Sequence, residues 1–202
     1  MFELRTPRLV LRDWLPEDLP TVRALAGDER VTRYQTWLRL DESEAACQHW
    51  LEEAIKHNSA DPRSAYSLAM VDHSNYHAVG WLNWGDAEDA SRGDVSFGYA
   101  LLPELWGRGY MTEAVEAMLA FVFDIQPRVS IYATCATSNR ASARVLEKAG
   151  LHLVDRWMHR DEALGIEEAL GIEEEYRCYS LRRSEWRPEP RTTNGKTERL
   201  TG

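Results

Sequence analysis

Hydrophobic residues recur along this chain with a period that switches between two and about 3.6, and the switches divide it into strands and helices. Residues 8–14, RLVLRDW, alternate and predict a first strand. Pro16 to Ala26 reads as a helix broken or delayed by Pro20 and ended by Gly27-Asp28. Residues 28–40 carry only weak helical spacing through Val31, Tyr34, Trp37 and Leu38. From there the pattern firms: Asp41 or Ser43 can cap a helix whose apolar face is Ala46, Trp50, Leu51, Ala54 and Ile55. Asn58-Ser59-Ala60-Asp61-Pro62 stops it. Strands over residues 65–71 and 78–84 flank the turn DHSNYH, and a polar loop fills residues 85–93.

Residues 94–114, DVSFGYALLPELWGRGYMTEA, are the stretch around which the rest is organised. Val95, Phe97, Tyr99 and Leu101 alternate with Ser96, Gly98, Ala100 and Leu102, as in a strand. Pro103 and Glu104 make a short turn, Gly107-Arg108-Gly109-Tyr110 follows, and the period then changes. Met111, Ala114, Val115, Met118, Leu119 and Val122 fall on one helical face that ends near Asp124, before Pro127. Strand, glycine-rich turn and helix N-terminus make a natural anion seat. The first helical turn has free N–H groups and the positive end of the dipole, and small residues let a phosphate reach them. Arg108 adds a full charge. GxxxxGK[ST] is absent, so this is no P-loop, and Thr112 stands where a dinucleotide fingerprint needs its third glycine.

Downstream, residues 129–135, VSIYATC, read as a β-branched strand. A helix over residues 138–150 has Ser138 or Asn139 to cap its start and Gly150 at its end. Residues 151–160 and 175–181 read as closing strands. Between them EALGIE occurs at residues 162–167 and again at 168–173. A six-residue period drifts around a helix, so the expectation is a tandem duplication at a hairpin tip, where extra length costs little. Residues 1–186 are expected to form one domain, and the polar residues 187–202 a disordered tail.

Composition narrows the classes. A chain of 202 residues, 44% hydrophobic, suits one domain with a real core. Its net charge of −9 argues against binding a phosphate backbone of nucleic acid and suits a cationic partner. No apolar run approaches the roughly 18 residues of a membrane span, and residues 1–12 lack a signal-peptide core. Cys47, Cys135 and Cys178 are odd in number and far apart, which fits reduced thiols in a cytoplasmic protein. His73 and His77 lie four apart in a turn rather than on a helix face, so no metal site is expected.

Trp106-Gly107-Arg108-Gly109-Tyr110-Met111 resembles the acyl-CoA loop, Q/R-x-x-G-x-G/A, of the GNAT superfamily of N-acetyltransferases. Trp106 in place of Gln or Arg, with the following Thr112-Glu113-Ala114, is similar to the ribosomal-protein N-terminal acetyltransferase (Rim) branch, as is the opening TPRLVLR. Asn139, Ser142, Glu147, Lys148 and Gly150 resemble the family's N-x-x-S-x-x-x-x-E-K-x-G-F helix, with Leu151 for Phe. The likeness spans residues 6–181. It implies a mixed α/β fold, a twisted and mostly antiparallel sheet of six to seven strands flanked by about four helices. It also implies acetyl-CoA as co-substrate, an amine acceptor and no metal; a homodimer is left open.

Acetyl transfer to an amine sets physical demands. A lysine amine, with a pKa of about 10.4, is only about 0.1% neutral at pH 7.5, whereas an α-amine near 7.8 is roughly a third neutral and needs less help from a base. The thioester carbonyl needs a donor for its developing oxyanion, and the departing thiolate gains from a proton. The resemblance gives the oxyanion donor to a backbone N–H among Tyr99, Ala100 and Leu101. It gives coenzyme contacts to Trp106, Gly107, Arg108, Gly109, Tyr110, Met111, Thr112 and Arg144. Asn139 falls to the pantetheine arm, and Ser142 is the acid near the sulfur. Relatives often carry Glu where Ser96 stands; Asp94, two residues earlier on the same face, is the candidate base, with His73 and His77 behind it. The acceptor is expected to be a peptide N-terminus or a small cationic amine. Asp28, Glu29, Asp41 and Glu42 would stand on one side of it, Asp161, Glu162, Glu167 and Glu168 on the other, with Trp37, Trp81 and Trp84 as a wall. A catalytically silent acyl-CoA-binding module is the alternative, favoured by Ser96.

Overall fold

The computed structural model describes residues 1–35, 43–86, 94–126, 130–159 and 174–187. Eight strands among them form one sheet: β1 (Glu3–Arg5), β2 (Leu9–Asp13), β3 (Tyr66–Asp72), β4 (Ala78–Asp86), β5 (Val95–Leu101), β6 (Ser130–Ala136), β7 (His152–His159) and β8 (Glu174–Arg182), in the order β1-β2-β3-β4-β5-β6-β8-β7. Every neighbouring pair is antiparallel except β5 and β6. Five helices accompany them: α1 (Leu19–Ala26), α2 (Glu29–Thr32), α3 (Glu44–Asn58), α4 (Tyr110–Ile125) and α5 (Arg140–Lys148). The mixed α/β architecture is the expected one, with one strand more than the upper count.

Alternation in the inner strands separates two cores. Leu9, Leu11, Leu68, Met70 and Leu82 point to one face, where Met111, Ala114, Val115, Met118 and Val122 of α4 and Leu146 of α5 cover them. Val10, Ala69, Val71 and Trp81 point to the other, under Val22 and Leu25 of α1 and Cys47 and Leu51 of α3. Both faces are apolar because both are covered. Truncating a side chain such as fully buried Met118 to Ala would cost about 2–5 kcal/mol, transfer and cavity terms together.

The elements that differ from the sequence reading have local reasons. Strand β1 is three residues long, too short for a period to show. Helix α2 is a single turn in the ambiguous stretch, begun by Asp28, whose carboxylate accepts from the Arg30 N–H. Pro20 delays rather than breaks: a 3-10 turn over Pro16–Asp18 precedes α1, and Pro20 sits in its first turn, where no N–H is needed. Ser43 caps α3, accepting from Ala46. Asp41, Trp37, the duplicated EALGIE segment and residues 188–202 lie outside the described residues.

The tryptophan wall requires correction. Trp84 is 4% exposed and stacks on Tyr66 at 4.6 Å in the core under α4, whereas Trp81 is 1% exposed in the opposite core. Three residues apart on a strand, the two side chains face opposite ways.

Candidate active site

The one parallel pair makes a cleft. Strands β5 and β6 are in register only at Val95↔Ile131 and Ser96↔Tyr132. Beyond that point β5 keeps β4 on one side, and its other edge opens toward β6. Leu102 donates its N–H to the Val79 carbonyl, so alternation turns the N–H and C=O groups of Tyr99 and Leu101 toward the open side. Two of the carbonyls there are held by side chains: Gln35 Nε2 donates to Tyr99 O at 2.8 Å, and Trp106 Nε1 to Leu101 O at 2.7 Å. What the edge offers a guest is N–H groups, suited to carbonyl oxygens.

At the end of that edge stands the N-terminus of α4. Gly107 and Gly109 have φ of 75° and 81°, a conformation that disfavours side chains, and a Cβ on Gly107 would meet nothing within 4 Å. Trp106, Gly107, Arg108 and Gly109 are exposed, while the Met111 side chain is buried in the core and leaves its amide in the first turn. Thr112 is half-buried. The turn is pinned from three sides. Tyr110 Oη donates to Asp72 Oδ2 at 3.1 Å, and the Arg8 guanidinium lies 4.4 Å above the Tyr110 ring. Glu113 takes Thr6 Oγ1 at 2.6 Å and Arg8 Nε at 2.7 Å. Asp72 is held below the usual carboxylate range by the Ser74 N–H first, then by the Ser74 and Tyr110 hydroxyls against the cost of burial. Burial, helped by Asp72, pushes the Tyr110 phenol up.

Across the cleft is the start of α5. Asn139 caps it, its Oδ1 accepting from the Ser142 N–H at 3.1 Å. Ser142 Oγ and the Tyr99 hydroxyl are 2.8 Å apart. Burial pushes the Tyr99 phenol far above its ordinary value, only partly opposed by that hydrogen bond, so Tyr99 keeps its proton. Cys135 on β6 lies beside them; burial raises its thiol and a bond with Ser142 opposes the shift. Arg144 is exposed on the same helix. The open edge of β5 with its N–H groups, a helix N-terminus with two positive-φ glycines, and a pair of hydroxyls thus lie on one side of the sheet's splay.

The model of the acetyltransferase (GNAT) domain matches residues 8–152. The chain belongs to the GNAT acetyltransferase family. An uncharacterized N-acetyltransferase of Bacillus subtilis, YoaA, is 26% identical over 162 residues, 73% of this chain and 81% of that one. Among solved structures, a GNAT acetyltransferase from Bacillus anthracis superposes with a TM-score of 0.74 at 18% identity, over 91% of this chain and 100% of that one. The ribosomal L7/L12 α-N-protein acetyltransferase RimL, solved with coenzyme A, gives a TM-score of 0.72 at 17% identity, over 89% and 97%. At such identities these structures speak to the fold.

Other residues singled out in this GNAT chain fall outside the Tyr99–Ser142 pair. Asp94 sits at the closed end of the β5–β6 pair, its Oδ1 accepting from the Ser130 N–H at 3.3 Å. Five residue steps along extended chain, about 17 Å, separate it from Tyr99. Ser96 is exposed on the same face. His73 and His77 border the β3–β4 turn, by Arg8 and Asp72 at the α4 end. Asp28 is paired bidentately with Arg30, at 2.9 and 2.6 Å, so it is no free anion for an acceptor. Among the described residues no cluster of three metal-ligating side chains occurs, and no helix is long and apolar enough to cross a membrane. Sequence reasoning missed Arg8, Gln35 and the hydroxyl of Tyr99. Arg8 lies within TPRLVLR and could have been weighed there; nothing marks Gln35.

Proposed function

We propose that this chain is an acetyl-CoA-dependent N-acetyltransferase that moves the acetyl group to a primary amine by direct attack. The observation that carries it is the alignment, along one groove, of the Tyr99–Leu101 edge, the α4 N-terminus and the Tyr99–Ser142 hydroxyl pair. The coenzyme fits this groove: Gly107 and Gly109 let its diphosphate approach the amides of Tyr110, Met111 and Thr112, and Arg108 supplies charge. Trp106 holds the turn against the end of β5, and Asn139 and Arg144 flank the pantetheine arm. A backbone N–H of Tyr99 or Leu101 polarises the thioester carbonyl and stabilises the oxyanion. Ser142 gives its proton to the leaving thiolate, with the phenol of Tyr99 behind it as donor.

The acceptor is a peptide N-terminus or a small cationic amine. Ser96 leaves the position two residues beyond Asp94 without a carboxylate, which favours an amine already partly neutral near pH 7.5. Asp94 acts through water if it acts as base. A cavity of about 220 Å³ between α3 and the sheet, with Trp50, Glu53 and Asn83 in its wall, adjoins this strand through Asn83 Oδ1, which accepts from the Gly98 N–H at 2.8 Å. Glu53 there is already paired with Lys56 at 3.1 Å, so a cation in this cavity would rest on the Trp50 indole. The resemblance of residues 106–114 and of TPRLVLR to the Rim branch supports the protein N-terminus arm of this reading. We place the domain at residues 1–186.

Ser96 also favours a second reading, a module that binds acyl-CoA and turns nothing over. An amine panel with thiol release as the readout separates the two. Release with an α-amine or a small polycation supports the enzyme; turnover only on an N-terminally blocked lysine peptide would sink the acceptor assignment.

A further inference from the structure

The first turn of α4 holds an anomaly for an anion seat: it carries an anion of its own. Glu113 is the fourth residue of the helix, and its carboxylate lies in the turn that would receive a diphosphate. Unpaired, it would repel that ligand. Its partner comes from the far end of the chain. Arg8 Nε and Nη2 each approach Glu113 Oε2 at 2.7 Å, and the Arg8 N–H donates to Oε1 at 2.8 Å. The rest of the same guanidinium grips the turn itself. Nη1 donates to the carbonyl of Arg108 at 2.9 Å, between the two positive-φ glycines. The plane covers Tyr110, and Nη2 lies 3.5 Å from where a Cβ on Gly109 would stand. One planar fork thus neutralises Glu113 and fixes the carbonyl of Arg108, an arrangement a lysine cannot copy.

We propose that Arg8 is a positioning residue for the coenzyme diphosphate: it cancels the Glu113 charge and holds the Gly107–Gly109 turn in the form that presents its amides. The proposal rests on the acetyl-CoA reading above. It predicts an effect confined to the diphosphate end. In Arg8→Met, the KM for acetyl-CoA and the Kd for CoA should rise roughly tenfold, with kcat changed by less than about threefold. With acetyl-pantetheine, a donor lacking the diphosphate, kcat/KM should be unchanged. Adding Glu113→Gln should restore part of the CoA affinity, because the stranded carboxylate is gone.

The test is calorimetric titration of CoA together with kinetics on both donors, for wild type, Arg8→Met and the double variant. Unchanged CoA affinity in folded Arg8→Met, equal losses on both donors, or no recovery in the double variant would each overturn the proposal. Should Arg8→Met fail to fold, Arg8→Lys, which keeps the charge and loses the fork, carries the same donor comparison. If wild type itself binds no CoA, it is the acetyl-CoA reading that fails.

Discussion

A Cβ at Gly109 would be strained at a φ of 81° and would stand in contact with Arg8, on the surface where the proposed diphosphate would meet backbone. Gly109→Val should therefore weaken CoA binding by more than about tenfold while the protein stays folded. Calorimetry with a circular-dichroism melt checks it, and a folded variant of undiminished affinity would remove the claim. Ser142→Ala should lower turnover by roughly tenfold to a hundredfold and leave the CoA Kd within about threefold. Tyr99→Phe should shift turnover the same way and less, since it removes only the donor behind Ser142. If Ser142→Ala turns over normally, its hydroxyl merely packs, and the thiolate takes its proton from water. At this scale the sequence is legible where contacts are local. Gly107, Gly109 and Asn139 stand out because a turn and a cap need particular residues at fixed spacing, whereas Ser142 stands out only through the resemblance to the GNAT helix motif. Arg8 meets Glu113 across 105 residues, Gln35 meets Tyr99 across 64, and Tyr99 meets Ser142 across 43. No period along a chain encodes such meetings.

Elements were legible in proportion to their length and amphipathicity. Helix α4 has eight buried residues at helical spacing, and its bounds were readable; β1, with three residues, was not. The Asp72–Tyr110 bond ties α4 to the end of β3, and the lowered Asp72 carboxyl makes it pH-sensitive. A carboxyl depressed in the folded state binds fewer protons there than in the unfolded chain. Its stabilisation is therefore full above the ordinary carboxylate pKa and is lost as pH falls through the lowered value. Wild type should melt above Asp72→Asn at pH 7, with the gap closing in acid; a gap independent of pH would contradict this. The six-residue duplication is a separate matter. Strands β7 and β8 pair from His152↔Ser180 to His159↔Glu174, so the link between them need not be long. Deleting one EALGIE copy should leave the melting temperature and CoA affinity unchanged. A large loss of stability would show that the segment belongs to the core, and a change confined to acceptor affinity that it covers the acceptor.

For the whole molecule, the order of alternating strands and amphipathic helices was legible, and the resemblance to the GNAT family implied the mixed α/β fold they make. The splaying of β5 from β6 was not, since it is a relation between two strands that are each ordinary alone. That splay leaves one edge of β5 open beside β6, and the proposed acetyl transfer is built on that edge. A net charge of −9 suits a cationic acceptor and long-range attraction that weakens with salt. If the acceptor is an α-amine and no residue acts as a tuned base, kcat/KM for the acceptor should rise between about pH 7 and 8 with the amine's own titration and then level off. A profile that follows a lower pKa, the same for every acceptor, would point instead to a residue of the protein.

The most direct measurement is release of free CoA thiol from acetyl-CoA in the presence of a panel of amines: peptides with free and with blocked N-termini, polyamines and aminoglycosides. The account predicts release that depends on the amine and is greatest with a free peptide N-terminus or a small polycation, with the acetyl group recovered on that amine's nitrogen. Tight CoA binding with no thiol release for any amine would contradict it.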